Sequence, residues 1–84
     1  MTAWDQVLER LRQSMPEEDF RRWFGATAYA SDSHDQITVW VPSEAIRRHI
    51  SSMYGDDVRQ ALRAIGRPDT FVRFVVGGTD EDED

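Results

Sequence analysis

The amino-acid sequence predicts an α+β domain of element order α-α-β-β-α-β, a three-stranded sheet packed with helices. Two apolar patterns at helical spacing fill the first 24 residues. A strictly alternating run, "QITVWV" at 36–41, has the two-residue period of a half-buried strand. A long helical stripe then runs from Pro42 to Gly66, and a second strand-like run, "TFVRFVV", follows it.

In "TAWDQVLERLRQSM", Thr2 is the expected N-cap, and Asp5, three residues on, forms a capping-box-like pair with it. Trp4, Val7, Leu8, Leu11 and Met15 share one arc of about 100°. Pro16 breaks this helix and suits the first turn of the next. Glu17, Glu18 and Asp19 stand where acids favour a helix N-terminus, and Gly25 is the stop. Phe20, Trp23 and Phe24 share the front of this second helix. On its back, Glu17 precedes Arg21 and Glu18 precedes Arg22 by four residues, the favourable order for ion pairs. "EEDFRRWFG" therefore reads as a solvated back and a core-facing front rather than a nucleic-acid patch.

A short strand around residues 26–30 and the polar turn "SDSHD" lead into the alternating run. Ile37, Val39 and Val41 take one face, and Thr38 and Trp40 the other. Pro42 ends the strand and Ser43 caps the next helix, with Glu44 in its first turn. Ile46, Ile50, Met53, Tyr54, Val58, Ala61, Leu62 and Ile65 continue a stripe interrupted by Gly55, which predicts one bent helix or two short ones. In the last strand Val72, Phe74 and Val76 form the inward set, and this strand can return parallel to the second.

The chain of 84 residues is enough for one core, with 39% hydrophobic residues. The net charge of −6 is concentrated at one end, where residues 80–84 read "DEDED". We expect an interaction domain over residues 1–77 and a disordered acidic tail or linker start over 78–84. With no cysteine there is no disulfide framework, thiolate nucleophile or cysteine-based zinc site. No apolar run approaches the length of a membrane span, so a soluble cytoplasmic protein is expected.

All ten basic residues are arginine, and without lysine no P-loop exists. His34 with Asp35 lies in a turn, where both are ordinary residues. Ser43, His49 and Asp35 assemble into a triad only on paper, since nothing in their spacing favours it. We expect no catalytic site, no metal, no cofactor and no enzyme activity. Arg47, Arg48, Arg59, Arg63 and Arg67 are diluted by Glu44, Asp56 and Asp57. The G-x-x-G clamp of KH domains is replaced by "GDDV", which puts acids where a phosphate needs amides and cations. Sequence-specific nucleic-acid recognition is not expected.

Taken together, "WDQVLERL" at 4–11, "MPEEDFRRWF" at 15–24, "ITVWVP" at 37–42, the steps Ile50–Tyr54–Val58 and the closing "VRFVV" resemble the N-terminal domain of the bacterial chromosomal replication initiator DnaA. The resemblance covers residues 3–77 and suits either an excised first domain or a stand-alone protein of that type. It implies a KH-like fold and an interaction module for initiator self-association and for recruiting the replicative helicase and regulatory proteins. It also implies weak affinity for single-stranded DNA.

Residue by residue, Trp4 matches the family's self-association tryptophan, with Leu8 beside it on the same arc. That arc suits an indole in the core equally well, so position alone leaves both readings open. A contact made by one short helix per copy implies a weak homodimer, mostly monomeric at micromolar concentration. Asp19, beside Phe20, matches an acidic position for helicase and regulator binding. The aromatic that often completes that site falls at Ala45, which offers almost no side chain and implies weak, transient complexes. Arg47 and Arg48 are the expected contacts for weak single-stranded DNA binding. The alternative class is a KH-like single-stranded nucleic-acid binder, distinguished by collapse of binding at high salt.

Overall fold

Thr2 caps the first helix as its sequence requires: its hydroxyl accepts the Asp5 N–H at 3.1 Å, and the Asp5 carboxylate accepts the Thr2 N–H at 3.0 Å. The computed structural model describes residues 2–77, so the tail expected over 78–84 lies outside the described residues. The elements run α1 (Ala3–Ser14), α2 (Glu17–Phe24), β1 (Ala28–Asp32), β2 (Gln36–Val41), α3 (Glu44–Met53), α4 (Gly55–Ala64) and β3 (Phe71–Val76).

The predicted α+β class holds. The long helical stripe divides into α3 and α4 at Tyr54–Gly55, with Gly55 as the first residue of α4. Pro16 is the N-cap of α2 rather than its first helical residue. β1 begins two residues later than expected and runs into the "SD" of the turn sequence. Its alternation is broken by a bulge between Tyr29 and Ser31, which the small, weakly patterned residues there do not advertise.

The sheet order is β1-β2-β3, with β1 antiparallel and β3 parallel to β2. Ile37, Val39 and Val41 are buried, and their register partners on β3 are Val72, Phe74 and Val76. The helices pack on this face, and the core is Trp4, Val7, Leu11, Phe24, the three β2 residues, Ile50, Val58, Ala61 and Leu62. Val72 and Phe74 pack against it, but Val76 is 40% exposed and departs from the predicted inward set. Trp40 lies on the opposite, open face, where its ring covers Gly77; a Cβ at Gly77 would meet that ring at 3.3 Å.

The α4–β3 connection is tied to the β1–β2 turn. Gly66, at φ 87°, ends α4 with the paired bonds of a Schellman turn, Arg67 N–H to Leu62 C=O at 2.8 Å and Gly66 N–H to Arg63 C=O at 3.1 Å. That turn aims Arg67 at Asp32, and the two close a bidentate pair at 2.7 Å on both arms. Thr70 Oγ1 and Arg67 also donate to the His34 carbonyl, at 2.6 and 3.0 Å. His34 takes φ 76° at the turn, where its N–H donates to Asp32 Oδ1 at 2.9 Å. The His34–Asp35 segment is thus a structural corner.

Candidate functional site

The front of α2 divides by depth. Phe24 is buried and stands against Trp4, Phe20 and Tyr54 with ring centroids 6.5, 6.0 and 5.6 Å apart. Phe20 and Trp23 remain half-buried. Trp23 reaches across to α3, where its indole stacks on the His49 imidazole at 3.5 Å and 16°. Tyr54, at the end of α3, stands 5.6 Å from His49. Burial, with the negative charges of Asp19 and Asp57 nearby, raises the Tyr54 phenol above its ordinary value.

Trp23, late in α2, meets His49 in mid-α3, and Phe24, one residue on, meets Tyr54 at the end of α3. Asp19 lies one turn before Trp23, and Ala45 lies one turn before His49, about 6 Å along each axis. The sequence-predicted residues Asp19 and Ala45 thus each stand one helical turn from a member of the Trp23–His49 stack. Met53, one turn beyond His49 on the same face, is 64% exposed and adds an apolar side chain on the α3 side.

Trp23, His49 and Met53 were not singled out as site residues by sequence reasoning. Trp23 read as core-facing, and His49 only as part of a triad that nothing in its spacing favours. The available signal was spacing: each lies four residues from a residue already assigned to the site or, for Met53, four from His49.

One other expectation changes. Trp4 is 1% exposed; its Nε1 donates to Thr27 Oγ1 at 3.3 Å, and its ring meets Phe74 edge-on at 5.9 Å. It is a core residue and presents no surface for self-association, because the α2–β1 connection and β3 close over the first turn of α1. Leu8, half-buried, is the member of that pair with surface to offer. Arg47 and Arg48, the expected DNA contacts, share one carboxylate. Arg47 Nε donates to Glu44 at 3.0 Å and its Nη2 also pairs with Glu44, while Arg48 Nε lies 3.4 Å from it. Hydrogen bonding from Arg47 holds the Glu44 carboxyl below its ordinary range. On α2, Glu17 and Arg21 close at 3.3 Å; among the described residues Glu18 and Arg22 do not.

Among the described residues no group of histidine, cysteine and acid side chains is placed to hold a metal ion, and no helix is long and apolar enough to cross a membrane.

The family model of the DnaA N-terminal domain matches residues 1–64. The chain is 20% identical over 74 residues to the chromosomal replication initiator protein DnaA of Francisella philomiragia, covering 88% of this chain and 15% of that protein. It is 26% identical over 62 residues to the DnaA of Gluconobacter oxydans, covering 74% of this chain and 13% of that protein. It therefore spans about one seventh of the length of these relatives. A crystal structure of a HobA–DnaA (domain I-II) complex from Helicobacter pylori matches with a TM-score of 0.74 at 17% identity, over 89% of this chain and 98% of that one. At that identity the likeness is one of fold.

Proposed function

The chain belongs to the DnaA N-terminal domain family, and we propose that it is a protein-interaction module of bacterial replication initiation that binds through the α2–α3 face. The observation that carries this is the half-buried Trp23–His49 stack with Asp19, Ala45 and exposed Met53 around it. Aromatic and apolar anchors held on two rigid helices, with a charge at the rim, are the usual composition of a binding hot spot. The fold neighbour was solved with HobA, which supports a regulatory protein as one partner; the replicative helicase is the second. Neither role calls for catalysis, and we propose none.

Ala45 offers no anchor, so the contact rests on Trp23 and Met53 and the complex is weak and transient. Single-stranded DNA binding is weaker still and salt-sensitive, because Glu44 already engages both Arg47 and Arg48. Self-association through α1 falls to Leu8, and it grows only toward millimolar concentration.

Calorimetry with the replicative helicase or a regulatory partner tests the reading. Asp19→Ala and Met53→Glu both change exposed or half-exposed side chains, so their melts should stay within a few degrees of the parent. Each should weaken binding about five- to tenfold, the worth of roughly 1–1.4 kcal/mol. Unchanged affinity in both variants moves the site off this face.

A further inference from the structure

A second surface, on the other side of α3, is built for a different kind of contact. The N–H of Phe71 donates to Asp35 and that of Gly77 to Val41, so the odd-numbered residues of β3 turn their backbone toward β2. By the alternation of a strand, Val72, Phe74 and Val76 turn their N–H and C=O groups to the outer edge. β3 ends the sheet, and among the described residues no strand pairs with that edge.

A groove follows it. One stretch, about 520 Å³, lies between β3 and Glu44, Arg47 and Ser51 of α3. The next, about 350 Å³, runs past Phe71 toward Val58, Leu62, Arg59 and Asp69. The helix side of this second stretch offers Val58 and Leu62, and Phe71 is 58% exposed at its mouth. Arg47 is paired with Glu44, whereas among the described residues Arg59 and Arg73 form no ion pair. Arg59 stands with Asp69 in the second stretch, and Arg73 stands on the open side of the edge strand.

We propose that this groove takes an extended segment of a partner protein, alternating apolar and acidic residues, which adds to β3 as a fourth strand. The edge presents donors and acceptors in alternation, and only another peptide backbone answers both. A nucleic-acid strand offers phosphate acceptors but no matching row of donors. A second copy of β3 is disfavoured, since its one charged residue, Arg73, would approach its twin with no acid in the strand. The alternation follows from the walls. Apolar side chains of the added strand face Val58 and Leu62, and acids on its other face lie beside Arg73, whose register partner is Thr38 on the open side.

The experiment is an NMR titration of the ¹⁵N-labelled chain with a blocked octapeptide of alternating valine and glutamate, against its valine–lysine counterpart and an oligothymidylate. The glutamate peptide should shift the amides of Val72, Phe74 and Val76 saturably, and salt should weaken it. Val76→Pro deletes one outward donor while leaving the ladder to β2 intact, and should weaken binding about fivefold. Arg73→Glu, on the open face, should reverse the preference between the two peptides, and it decides the matter if Val76→Pro does not fold. The proposal is overturned if neither peptide shifts the edge amides at millimolar concentration, if both shift them equally, or if the oligonucleotide displaces the glutamate peptide from them.

Discussion

Trp4→Ala removes an indole that touches Phe24, Phe74 and Thr27, and at 1% exposure the loss opens a core cavity. Such truncations cost about 3–5 kcal/mol, much of the stability a chain this size has to lose. We expect the variant to be unfolded or molten near 37 °C by circular dichroism; a native melt with altered self-association would return Trp4 to the surface. Phe20, half-buried and stacked on Phe24, should cost only about 2 kcal/mol as alanine. Residue types and helical spacing placed both rings on apolar arcs correctly. What spacing does not carry is depth, because what closes over Trp4 is the α2–β1 connection at Thr27 and Phe74 of β3, distant in the chain.

Among elements, the β1–β2 turn and the α4–β3 connection are held by one ion pair, Arg67 with Asp32. Hydrogen bonds from Arg67, then from the His34 N–H, lower the Asp32 carboxyl from an ordinary 3.8 to about 2. The folded value is the lower one, so the stabilisation is fully present above about pH 5 and is lost as pH falls from 4 toward 2. With the side chains 21% and 22% exposed, we expect it to be worth about 1–2 kcal/mol after screening. Urea melts at pH 7 and pH 2.5 should show that Asp32→Asn loses this increment at pH 7 and little at pH 2.5. An equal loss at both would assign the effect to something other than charge. The pair spans 35 positions and left no mark on local pattern. The strands themselves were legible in proportion to their periodicity: β2 alternates strictly, whereas the bulged β1, rich in alanine and serine, hid its true start.

At the scale of the whole molecule, α3 is the divide between two surfaces. One side, with α2, presents Asp19, Trp23, His49 and Met53; the other, with β3, presents the arginine-lined edge groove. The ends of the first surface, Asp19 and Ala45, were readable because a family resemblance tied them to positions in the chain. Its centre was not, since the packing of α2 on α3 is a tertiary fact that brings Trp23 onto His49 across 26 positions of sequence. The most direct test of the α2–α3 assignment is the amide shift map of the ¹⁵N-labelled chain titrated with the replicative helicase or a regulatory partner. Shifts and broadening should centre on Asp19, Trp23, His49 and Met53, with β3 and the β1–β2 turn unmoved. A map centred on α1 around Leu8, or on the outer edge of β3, with the α2–α3 face silent, would contradict it.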